Sequence, residues 1–361
     1  MQQVVLVAGV DYEFAGVDFR VFTTNRRRFL ERRNTAREDL RFVTMDVRTG
    51  ETEIRDVTFP GGRRTEAVSV TRSHDPVTRA SYAAPAGGHP RFRPGQWRVL
   101  GVDDVYATVR QIGAAAPGTL AELSFFSHGW MGGPILVNSF DDRSWSFTFP
   151  VVGSGTPVTV DLVVPSTARD PDDRDARPRL DFVAPQMDAA GLGLFRAAFA
   201  PDAVAWLWGC AFPRVLHRAL TAIERAPGFR DSGTDPETVL TLTSPLEADD
   251  RAWLVSNLGA ALDPSSTATR IVVRFKHLTH LMCRANGAGY AQALADAGNV
   301  HVHAAPLGTY AEYDTGGDRL MNVHAGFAAH LRFYRNYLGL ASDAEKRRYS
   351  VYAPGRTCPP P

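Results

Sequence analysis

Short apolar runs recur along the chain, and most are followed by a helical pattern. "VVLVAGV" (Val4 to Val10) is continuously apolar and closes on Asp11, as a strand buried on both faces does. A helix is expected over roughly Asn25 to Leu40, and "RFVTMDVRTG" reads as a second strand closed by a turn glycine. From Glu51 to Pro94 the chain is rich in Gly, Pro, Thr and Arg, the composition of a hairpin or loop excursion. Val105, Val109 and Ile112 recur at helical spacing behind Asp103, a candidate N-cap. "ELSFFSHG" is the third core strand and "AVAWLWGC" (Ala203 to Cys210) the fourth, the latter followed by a helix over "PRVLHRALTAI". "RIVVRFKHL" and "VHVHAAPLG" are two more strands around a helix containing "GYAQALADAG", and "HAGFAAHLRFYRNYLG" is a closing amphipathic helix.

This alternation predicts an α/β fold of three layers, a mostly parallel six-strand sheet with helices on both faces. Residues 136–192 break the pattern with "FTFPVVGSGTPVTVDLVVP" and a charged stretch, "RDPDDRDARPRLDF", and read as a peripheral β insertion. The expected organisation is one domain over 1–340 and a C-terminal tail over 341–361, whose last stretch, "RTCPPP", is extended and loose.

With 361 residues, 44% of them hydrophobic, the chain can bury a large core. Forty basic and 39 acidic residues give a net charge of +1, which argues against nucleic acid or a membrane surface as the main partner. Arg26, Arg27, Arg28, Arg32 and Arg33 cluster beside Glu31, Glu38 and Asp39, and read as a solvated helix face. Three cysteines, Cys210, Cys283 and Cys358, are too few and too odd in number for a disulfide scaffold. They fit a reducing compartment. No run approaches the ~20 apolar residues of a membrane span, and the first ten residues resemble a strand rather than a signal peptide. The expected home is the cytoplasm, or a destination reached without a signal peptide.

Two of the apolar strands stop on reactive residues, His128 and Cys210. Open parallel sheets place their chemistry at the carboxyl ends of strands. A thiol beside an imidazole makes a nucleophile and its base, and a protonated imidazole favours the thiolate. The N–H groups of Gly129 and Cys210 are the candidate oxyanion donors, each worth about 3 kcal/mol in acyl-transfer sites.

An apolar strand ending in His-Gly, followed later by one ending in Gly-Cys, resembles the caspase-haemoglobinase fold of cysteine peptidases, the group of caspases, metacaspases, gingipain and the CHAT peptidases. The resemblance covers about Val4 to Ile223. The caspase branch carries Gln-Ala-Cys where this chain has "WGCAF", and the gap from His128 to Cys210 is longer than in caspases, which the 136–192 insertion accounts for. The resemblance implies a peptide or protein substrate; no cofactor and no metal are expected, and activation by a partner, by an ion or by self-cleavage is left open. It also implies that the loop after the first strand, "DYEFAGVDFR", lines the pocket for the residue before the scissile bond. Asp11 and Asp18 there would select Arg or Lys, whose charge a carboxylate pairs. A strand-end Asp that only caps a turn or helix is the plainer alternative.

Other candidates have plainer explanations. Cysteine is among the most buried residue types, so Cys210 alone could be packing. His277, His280 and Cys283 are spaced three apart but lie among apolar neighbours without an evident fourth ligand. His301 and His303 share a strand face, and the Asp170, Asp172, Asp173, Asp175 run lacks the Gly and closing Glu of a calcium loop. "GTYAEYD" (Gly308 to Asp314) follows the last strand with its role open. Two rival functions remain: an α/β-hydrolase-type esterase, against which Trp208 and Phe212 stand where the nucleophile elbow needs glycine, and a non-catalytic binding or assembly module.

Overall fold

The computed structural model describes the chain except residues 12–15, 79–81, 84–90, 93–98, 130–132, 138–143, 151–156, 164–181 and 315. The Asp170–Asp175 run and Glu13 lie outside the described residues. The chain divides into two compact units. The first takes Met1–His128, Pro134–Val204 and Gly316–Leu320; the second takes Gly129–Gly133, Ala205–Thr315 and Met321–Pro361.

The first unit holds β1 (Gln2–Ala8), α1 (Phe19–Arg33), β2 (Leu40–Asp46), β3 (Glu51–Thr58), β4 (Thr65–Arg72), α2 (Val102–Ala115) and β5 (Leu120–Phe126). Its strand order is β5-β1-β2-β3-β4. The buried run Val4–Ala8 places β1 in parallel between β2 and β5, with Ala8 opposite both Asp46 and Phe126. Short connections cannot return a chain to a parallel register, so β2, β3 and β4 run antiparallel in succession. A hairpin, β6 (Ser144–Pro150) with β7 (Pro157–Val163), lies inside the expected insertion, and α3 (Ala189–Ala198) follows it. Strand β8 (Phe199–Leu207) begins in the first unit and ends in the second.

The second unit holds α4 (Arg214–Arg225), β9 (Val239–Leu242), α5 (Ala248–Leu258), β10 (Ile271–Arg274), α6 (Phe275–Gly287), α7 (Tyr290–Gly298) and β11 (His301–Ala304). After these come β12 (Ala311–Tyr313), β13 (Met321–Val323), α8 (Ala328–Leu338), β14 (Ala341–Ser342) and β15 (Ser350–Tyr352). Strand β15 pairs antiparallel with both β11 and β14. The pairs β9–β10 and β12–β13 form small antiparallel sheets of their own.

The α/β class therefore holds, while the six-strand, mostly parallel sheet does not. Among the described residues the large sheet is mixed and has nine strands, β1 to β5 with β8, β11, β14 and β15. Three corrections explain the difference. The hairpin expected after Glu51 forms, as β3 and β4, but it joins the large sheet instead of standing apart from it. Residues 341–352, expected as part of a tail, supply β14 and β15 of the large sheet. "RIVVRFKHL" leaves the strand at Arg274 and continues as α6, and its β10 pairs outside the large sheet.

Two further features differ from what the sequence suggests. Cys283 and Cys358 form a disulfide, Cα to Cα 5.8 Å across a sequence separation of 75, which ties the C-terminus to α6. Arg26 is not on a solvated face but fully buried. Its Nε and a terminal nitrogen donate to the two oxygens of Glu122 at 2.8 and 2.7 Å, and Ser124 Oγ donates to the same carboxylate at 2.6 Å. This pair fastens α1 to β5. Breaking such a pair from one side leaves an uncompensated buried charge at a cost of about 3–5 kcal/mol, whereas an apolar replacement of both partners is often neutral. We expect Arg26→Met to lower stability in urea unfolding by that amount and Arg26→Met/Glu122→Leu to recover most of it. Equal losses in the single and double variants would contradict a buried ion pair.

Candidate functional site

In the first unit, parallel pairing brings the ends of β1 and β5 to one edge. The Gly9 N–H donates to Phe126 O at 2.8 Å, and a Cβ at Gly9 would fall 2.8 Å from Ser127 Cβ, so the two strand ends press together. Ser127 is buried, and its hydroxyl donates to the His128 carbonyl at 2.8 Å. Beyond these contacts the chains deliver Asp11 and His128 to each other: His128 Nε2 lies 2.8 Å from Asp11 Oδ1. The Phe19 ring, from the first turn of α1, meets the imidazole edge-on at 5.3 Å. With Asp11 ionised, Nε2 carries the proton and donates, and Nδ1 is the nitrogen able to accept one.

Burial pushes the His128 pKa below the ordinary 6.5, and this outweighs the hydrogen bond and charge of Asp11, which act upward. The imidazole is therefore neutral at neutral pH, the form a general base needs. Because the lowered value belongs to the folded state alone, His128 withdraws stability as pH falls below 6.5.

The second unit builds its own half. Gly129 packs against the Cys210 backbone so closely that a Cβ would fall 2.5 Å from Cys210 O and 3.4 Å from Cys210 N. Only glycine fits there. Cys210 is half-buried and lies outside the disulfide. The Ala311 N–H lies 3.3 Å from its Sγ, and the sulfur in turn faces Ala311 O at 4.0 Å. The segment read as "GTYAEYD" thus gains a role. Thr309 O accepts from Ala211 N at 2.9 Å while Gly308 N and Thr309 N donate to Ala211 O, so the stretch is laced to the residue after the cysteine.

The two acidic residues expected in a specificity pocket have other partners. Asp11 gives Oδ1 to His128 and Oδ2 to the Gly16 N–H at 3.3 Å. Asp18 is the N-cap of α1 and accepts from Arg20 N at 3.0 Å. Of the other histidines, His280 Nδ1 donates to Pro359 O at 2.8 Å, and His303 packs on Trp206 with ring centres 4.1 Å apart. Among the described residues no group of three or more His, Cys, Asp or Glu side chains could hold a metal ion.

A second polar chain was not foreseen. His217 Nδ1 lies 2.9 Å from His330 Nε2, and His330 Nδ1 lies 2.6 Å from Glu224 Oε1. Glu224 ionised would orient both rings in series, from its carboxylate to His330 to His217. Burial first, then the charges of His330 and Arg218, push the His217 pKa down. The ring of Phe212, two residues after Cys210, lies 5.0 Å from His217. The seven-residue spacing of His217 and Glu224 on one helix face was a usable signal, but His330 lies on a different helix.

No family model, curated protein or solved structure matches this chain. The site thus stands on its own geometry. Asp11→Asn removes the charge that raises the His128 pKa, and we expect the imidazole titration followed by NMR to move further below its wild-type midpoint. A midpoint that stays or rises would show that Asp11 does not control His128.

Proposed function

We propose that the chain is a cysteine peptidase of caspase-like type, in which Cys210 attacks an amide carbonyl and His128 handles protons. The sulfur–carbon bond forms as the carbonyl oxygen becomes an oxyanion. Collapse of that adduct breaks the carbon–nitrogen bond, and His128 returns the proton to the leaving amine. Water then releases the acyl group. Gly129 N–H and Cys210 N–H are the proposed oxyanion donors, and Asp11 is the residue that holds the His128 tautomer. The observation that carries the reading is the neutral, carboxylate-oriented His128 directly preceding a glycine packed on the Cys210 backbone. The resemblance of the two strand ends to caspase-haemoglobinase peptidases supports it.

A peptide substrate, and activation by a partner, by an ion or by self-cleavage, belong to the same proposal. Among the described residues no helix is long and apolar enough to cross a membrane. Of the two homes read from the sequence, an oxidising destination keeps Cys283 and Cys358 bonded, and the cytoplasm would hold them as thiols.

The experiment is cleavage of a peptide library varied at the residue before the scissile bond. We expect turnover that Cys210→Ala abolishes while shifting the thermal midpoint by no more than a few degrees. Full activity in Cys210→Ala sinks the proposal. The library also tests the expected preference for Arg or Lys: one that survives Asp11→Asn has its cause outside Asp11, in keeping with the carboxylate's engagement by His128.

A further inference from the structure

The exposed side of α1 and the turn before β4 enclose a cleft of about 390 Å³. Arg28, Arg32, Arg37 and Arg64 line it, and among the described residues Glu31 is the one carboxylate in its wall. Its apolar lining is the buried Val57 and the half-buried Phe59. Four guanidinium groups around one small space repel each other unless something compensates.

The local carboxylates compensate only in part. Glu31 is taken by Arg27 and, at 3.2 Å, by Arg64, which also holds Glu66 at 2.6 Å. Arg32 pairs with Asp318. Arg28 and Arg37 form no ion pair among the described residues; Arg37 donates to Gly62 O at 3.0 Å. The negative end of the α1 dipole accounts for Arg32 in the last turn. It accounts for neither Arg28, further up the helix, nor Arg37, which lies past its end. Arg37 is moreover held at φ 55°, in the left-handed region that a non-glycine residue seldom occupies.

We propose that this cleft binds a diphosphate group, with Arg28 and Arg37 as its principal ligands. Guanidinium forks match phosphate oxygens bidentately, and a doubly or triply charged anion supplies the compensation that the single carboxylate does not. The diphosphate belongs either to free pyrophosphate or to a nucleotide whose base rests on the Phe59 ring. The proposal stands apart from the peptidase reading and uses none of its residues.

The test is calorimetric titration of the full chain at low ionic strength with pyrophosphate, a nucleoside diphosphate and sulfate. We expect saturable binding of pyrophosphate, weakened about tenfold or more by Arg28→Ala and by Arg37→Ala, with unchanged thermal midpoints of the free variants. Tighter binding of the nucleoside diphosphate, lost in Phe59→Ala, identifies a nucleotide; equal binding identifies free diphosphate. No binding of either, sulfate binding as tight as pyrophosphate, or affinities that ignore both substitutions would overturn the proposal.

Discussion

The candidate site depends on one missing side chain. Gly129 lies so close to the Cys210 carbonyl that a single methyl group would collide with backbone, and backbone cannot rotate away as a side chain can. The contact fixes the chain just after His128 against the chain at Cys210, within the second unit. His128 itself is fixed in the first unit by the Asp11 hydrogen bond and the Phe19 edge. Adjacent residues are therefore restrained independently, one by a charge-assisted hydrogen bond and one by close packing.

Two kinds of electrostatic device support this arrangement. Arg26 and Glu122 are removed from water together and satisfy one another, with Ser124 completing the carboxylate. Their arrangement seats α1, whose first residue Phe19 meets the His128 ring. At His128 the balance runs the other way, since burial prevails over the neighbouring carboxylate and the ring stays neutral. A surface imidazole beside an aspartate would instead be drawn toward the charged form.

The readable part of the chain was its continuous apolar runs. The strands at Val4, Leu123 and Ala203, and the strand-end residues His128 and Cys210, stand out because burial on both faces leaves few polar positions before the ends, Glu122 and Ser124 of β5 being the exceptions. Strand β4 is exposed at every residue, its two valines, Val68 and Val70, included, so no buried face marks it in the sequence; it is held by its antiparallel pairing with β3. Partners distant in sequence were equally silent. Nothing near Arg26 points to Glu122, nothing near Cys283 points to Cys358, and Asp11 reads as well as a pocket floor as it does a partner for His128. In each case tertiary contact assigns the role, and local pattern carries no trace of it.

The central claim is that Cys210 is a nucleophile governed by His128. It is tested most directly by the rate at which a thiol-reactive probe alkylates Cys210 as a function of pH, in the wild-type chain and in His128→Ala. The account predicts fast labelling at neutral pH in the wild type and a large fall in that rate in the variant, with the rate recovering only as pH rises toward the ~8.5 of an ordinary thiol. Slow labelling in both proteins, with the same pH dependence, would show that Cys210 is a packed cysteine and His128 a loop histidine.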